Sequence, residues 1–203
     1  PSLRLWGVRI MPLYKAGIID YTWATKPSVA PNGQIICITD VGENGQLFRG
    51  NGTRWVALGT IRKTTTAPVL VTATTATVTV ATFNIKGGTV GANGVIKIYL
   101  LHTLTNNGNL KTLRVAIDGN VAWTLPAGNT ATNSSLVVIR NIDSESVQKT
   151  GVSNINAGVG GASWATSYTT TVDTASDFVI TVTTSLAVST DTVTLENAIL
   201  EIN

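Results

Sequence analysis

The stretch GVIKIYLLHTLTNNGNLKTLRVAIDGNVAWTL, residues 94–125, decides the fold. It divides into three runs separated by turn residues. In the first, Ile96, Ile98, Leu100, His102 and Leu104 share one face by the two-residue period of an extended chain. Val95, Lys97, Tyr99, Leu101 and Thr103 share the other. Residues 105–109 then supply Asn and Gly, which tolerate the left-handed backbone of a tight reversal. Leu113, Val115 and Ile117 form the next apolar face, and Asp118-Gly119 marks a hairpin. A two-residue loop would set Ile117 against polar Asn120. A three-residue loop, Asp118-Gly119-Asn120, pairs Ile117 with Val121, Val115 with Trp123 and Leu113 with Leu125. One face is then apolar throughout, so the expected hairpin has three loop residues and a bulge. Trp123 becomes a core residue rather than a platform for a ligand.

The same rule extends over residues 69–203, which read as one β-sandwich of about eight strands with turn signals at the spacing such folds show. Val78 and Val80 share a face, but Phe83 and Ile85 have the opposite parity, so a bulge is expected near Ala81-Thr82. A second parity change between Leu195 and Ala198 places another at Glu196-Asn197. Residues 136–142 are apolar on both faces, as in a central strand. Residues 145–152 read as a more polar edge strand, and 153–166 as the longest glycine-rich loop. Two packed sheets of this size imply a jelly roll.

Composition supports an all-β chain. Of 203 residues, 12% are charged and 6% aromatic, while β-branched and turn-forming residues abound. Low charge suggests a surface partly covered by other subunits. The net charge of +3 comes from scattered basic residues rather than a stripe, which argues against nucleic acid. Cys37 is the only cysteine, so no intramolecular disulfide is possible, and it reads as a small buried hydrophobe. No run approaches the roughly 18 apolar residues of a membrane span, so no membrane insertion is expected. The start Pro-Ser-Leu, without Met or a signal pattern, suggests a fragment or processed form of a longer protein.

Ahead of the sandwich, residues 1–32 carry four prolines yet are apolar and aromatic, and read as an irregular neck or docking segment. Residues 33–58 form a three-stranded meander too small for its own core. Residues 59–68 lack hydrophobic periodicity and read as a linker. The meander carries Thr39-Asp40-Val41-Gly42, Gly45, Arg49-Gly50-Asn51-Gly52 and Trp55. In these residues it resembles small modules of bacteriophage tail fibre and tailspike proteins, which recur between stalk segments and ahead of tip domains. The resemblance is strong over 33–58 and loose over the remainder. It implies a homotrimer in the virion, on the phage tail, made in the bacterial host cytoplasm. It also implies a tip that binds host cell-surface polysaccharide or lipopolysaccharide, with the N-terminal segment contacting other virion proteins.

Sequence offers little chemistry. His102 is the only histidine and sits mid-strand, while Cys37 lies in another module, so a nucleophile–base pair is not expected. One Cys and one His argue against zinc. The oxygen-rich turns Asp118-Gly119-Asn120, Asp173 with Asp177, and Asp40 with Glu43 are explained by turn chemistry, so no metal or cofactor is expected. No paired carboxylates or solenoid period point to glycoside hydrolysis, and the chain reads as non-enzymatic. Glycan binding is the favoured ligand chemistry. Trp164 and Tyr168 lie in or beside the 153–166 loop, with Asn154 and Asn156 as polar neighbours. Trp164 could equally plug one end of the sandwich or pack on a sister chain. Two other classes stay open: a virion assembly protein such as a head fibre or cement protein, and a carbohydrate-binding module of a polysaccharide-degrading enzyme.

Overall fold

In a computed structural model, residues 18–43, 45–127, 131–155 and 168–203 are described. Among them every regular element is a β-strand. The first four strands are β1 (Asp20–Tyr21), β2 (Ile35–Ile38), β3 (Gln46–Gly50) and β4 (Trp55–Ala57), which pair in that order as one small sheet. Residues 33–58 hold the three strands β2, β3 and β4, and β1 adds a fourth to their sheet from the preceding segment. β1 runs parallel to β2, and Thr39 donates through both N and Oγ1 to the Tyr21 carbonyl. Two residues are too few to show a period, so this part of the expected irregular neck was invisible as a strand. The first 17 residues of the neck lie outside the described residues.

The sandwich comprises β5 (Ile61–Thr64), β6 (Val69–Val71), β7 (Val78–Ile85), β8 (Val95–Leu104), β9 (Lys111–Ile117), β10 (Asn120–Ala127), β11 (Thr132–Asn141), β12 (Gln148–Ile155), β13 (Tyr168–Thr170), β14 (Phe178–Leu186) and β15 (Val193–Ile202). One sheet has the order β10-β9-β14-β7. The other runs β13-β12-β11-β8-β15-β5, with β6 also on β15. The antiparallel pairs nest outward from the β9·β10 hairpin. β8 pairs with β11, β7 with β14, and β5 and β6 with β15. Such a long double strand, rolled up so that β15 meets β8 and β14 meets β9, is a jelly roll. The pair β12 and β13 is an insertion that widens one sheet.

Period-2 alternation builds the core. Along β14, Phe178, Ile180, Val182, Thr184 and Leu186 are buried and the intervening residues are not. Ile96, Ile98 and Leu100 of β8 are buried in the opposing sheet, as are Leu113, Val115, Ile117 and Trp123 of the hairpin. Each large apolar side chain buried this way contributes about 1.5–3 kcal/mol.

Three expectations change. The hairpin loop has two residues, because Asn120 pairs with Ile117. Asp118 (φ 48°) and Gly119 (φ 77°) are both left-handed, as a type I′ turn requires. The extra residue sits inside β10, where the register shifts between Val121 and Trp123. Val115–Trp123 and Leu113–Leu125 therefore pair as expected. The 59–68 stretch holds β5, whose lone inward apolar residue, Ile61, gives no period; pairing with β15 makes it a strand. The polar strand after residue 145 is not an edge, since β12 lies between β11 and β13. Its polarity is inward. Buried Gln148 donates to Asn141 Oδ1 (3.0 Å) and the Val172 carbonyl (2.9 Å), and accepts from Val172 N (3.0 Å). The other two bulges occur at Val80-Ala81 and at Glu196.

The module joins the roll through the motif. Val41 is buried, and with Ile61, Ile85 and Ile202 it lines a gap of only about 10 Å³ between the ends of the two sheets. Asp40 Oδ1 accepts from Trp23 N at 2.6 Å, Asn51 Oδ1 accepts from the N–H groups of Thr53 and Arg54, and Trp55 Nε1 donates to the Pro27 carbonyl at 2.8 Å. Gly50 has no room for a side chain, because a Cβ there would lie 2.1 Å from the Pro31 oxygen.

Candidate binding site

The inserted strands carry the candidate glycan site. On β12, Asn154 stands opposite Ser135 of β11. On β13, Tyr168 stands opposite Thr150 of β12. Tyr168 is half-buried and packs against the core, so part of its ring is already in contact with protein. Asn156 and Trp164 fall outside the described residues, as does the side chain of Asn154. The register sets Asn154 four residues further along β12 than the position facing Tyr168, about 13 Å at the rise of a strand, and Tyr168 flanks the core.

Beside it lies a surface the sequence reading did not single out. Tyr99 and Leu101 of β8, Ser134 and Leu136 of β11, and Asn197 and Ile199 of β15 line a shallow depression of about 440 Å³ on the outward face of the larger sheet. Register puts Ile199, Tyr99 and Leu136 in one row and Asn197, Leu101 and Ser134 in the next. The signal was present in the sequence. Tyr99 and Leu101 fall on the outward parity of β8, where a solvated sheet would carry polar residues.

His102 is fully buried between Asn133 on β11 and Leu195 on β15. Among the described residues neither ring nitrogen has a hydrogen-bond partner. Burial alone pushes its pKa down to about 4.

Near the same end of the roll, Lys111 is buried with its Nζ 3.5 Å from Asp191 Oδ2 and hydrogen-bonded to Asn107 Oδ1. Asn107 Nδ2 donates to Asp191 Oδ1 at 2.7 Å, which is the main cause holding the Asp191 carboxyl below its usual range. This trio ties the loop after β8 to the loop before β15. The acidic turns are likewise in structural use. Asp177 accepts from Gly87 N and Lys86 Nζ, Asp173 from Ala175 N and Ser176 Oγ, and Asp118 from Val179 N. Among the described residues no group of three or more His, Cys, Asp and Glu could hold a metal ion. The described residues hold no helix long and apolar enough to cross a membrane.

No protein-family model matches the chain, and no curated protein matches it. Solved structures similar to it include two of one virus. One, described as the structure of infectious bursal disease virus Gx strain, has 16% identity and a TM-score of 0.27 over 73% of this chain and 42% of that one. The other, of the Gt strain, has 15% identity and a TM-score of 0.28 over 88% of this chain and 50% of that one. The chain thus spans about half or less of these structures' chains. Likeness at this level carries no argument about function.

Proposed function

We propose that this chain is a non-enzymatic tip domain of a bacteriophage tail fibre or tailspike, a homotrimer in the virion that binds a host cell-surface glycan. The observation that carries the reading is the use made of the residues behind the resemblance. Asp40, Gly50, Asn51 and Trp55 shape the module, and Val41 plugs the end of the roll. A small module locked under a larger β-domain suits the junction between a stalk and a tip. Jelly rolls are used by viral capsid and lectin domains, which supports the reading at the level of fold only.

The test is binding of the 203-residue chain to an array of bacterial lipopolysaccharides and capsular polysaccharides. A subset should bind, and Trp164→Ala should lower that binding at least tenfold with the melting temperature unchanged. Absence of binding to every glycan would contradict the reading. One observation favours virion assembly as a second reading. The depression around Tyr99 is almost wholly apolar, as a protein contact would be. Retention of the chain on purified phage particles lacking it, with no glycan binding, would favour that reading.

A further inference from the structure

We propose that the outward face of the module sheet is a contact between copies of this chain. This deepens the multi-copy assembly proposed above and rests on it. Alternation sorts the four strands cleanly. Ile36, Ile38, Phe48 and Trp55 are buried on one side. Register places Asp20, Cys37, Leu47 and Leu58 in one row on the other side, with Leu58 held by its N–H to the Leu47 carbonyl. Ile35, Arg49 and Val56 form the second row. Leu47, Val56, Ile35 and Leu58 are 38%, 41%, 43% and 43% exposed, so an apolar sheet face stands in water.

Four strands at about 4.8 Å and two rows at about 6.8 Å give a face of roughly 270 Å². That is about a third of the ~800 Å² per partner of a stable interface. The face therefore anchors a larger contact rather than completing one. Its charges point to a second copy as the occupant. Asp20 and Arg49 are its two charged residues. They stand diagonally across the face, and neither forms an ion pair among the described residues. A copy related by rotation about an axis beside β2 brings Asp20 of one chain against Arg49 of the next and covers apolar with apolar. Cys37 lies beside Asp20 and next to that axis, half-buried rather than the buried hydrophobe expected, and burial and the Asp20 carboxylate raise its thiol pKa.

The experiment uses the full chain and its single native cysteine. A short bismaleimide at pH 8 should join chains through Cys37, and Cys37→Ser should abolish the product. Leu58→Glu and, separately, Asp20→Arg should each raise the dissociation constant of the oligomer at least tenfold. The double variant Asp20→Arg with Arg49→Asp should restore association, which a merely misfolded module would not do. An oligomer in which Cys37 does not cross-link and these variants change nothing would overturn this interface while leaving the multi-copy reading intact. A monomer with freely reactive Cys37 would sink both. A monomer with slowly reacting Cys37 would overturn the proposal equally, since the raised thiol pKa alone slows the reaction.

Discussion

At the scale of single residues, His102 shows how a pattern can be legible and its consequence not. Its inward parity is plain from Ile98, Leu100 and Leu104, but sequence cannot tell whether a partner awaits it. Among the described residues none does, and the folded chain holds the ring neutral down to about pH 4 against an ordinary value of 6.5. The folded pKa lies below the unfolded one for a base, so the unfolded state binds the proton first as pH falls. Stability should be flat above pH 6.5 and drop by about 3 kcal/mol between pH 6.5 and pH 4. Asp177 and Asp191, with carboxyls held below 3.8, lose their contributions only below that window. Urea melts of His102→Leu should show that slope abolished, and stability at pH 7 unchanged or about 1 kcal/mol higher, since two unpartnered ring nitrogens are removed. Gly50 makes the opposite case. Gly50→Ala forces a methyl against the Pro31 and Ala30 backbone and should cost about 3 kcal/mol by the same melts.

Strands and turns were readable wherever a face repeats. β8, β9, β10, β14 and two of the three bulges follow from parity alone, because a slip of one residue would turn an apolar row to solvent. The hairpin bulge was read as necessary but misplaced. Asp118 and Gly119 satisfy a type I′ turn by themselves, which moves the correction into the strand at Val121. β1 and β5 were hidden because two or four residues with at most one buried apolar side chain carry no period. β12 was read as an edge because Gln148 and Thr150 look solvated when they are in fact inward. Gln148→Leu should therefore cost about 2–4 kcal/mol, as it strands the Val172 N–H and the Asn141 side chain without partners. Of the candidate site, Trp164 and Asn156 lie outside the described residues, and the depression at Tyr99 was overlooked because outward apolar residues were not counted as a signal. The module's attachment is an element-scale claim too. Val41→Asp places a charge between Ile61, Ile85 and Ile202. Calorimetry should then show the single unfolding transition split into two, with the module melting first.

The whole molecule is a doubled-back strand rolled into a barrel-like sandwich, capped at one end by a small sheet that the motif locks in place. Charge is sparse, with 12% of residues ionisable as Asp, Glu, Lys or Arg, and two separate surfaces present apolar rows outward. Both features suit a domain that works in several copies on a larger particle, and the proposed attachment role depends on that assembly. Light scattering behind a sizing column tests this most directly. The account predicts a mass of three times 21.3 kDa, held at micromolar concentration in moderate salt. A single 21.3 kDa species under the same conditions would contradict it, and would turn the outward apolar faces from subunit contacts into surfaces for some other partner.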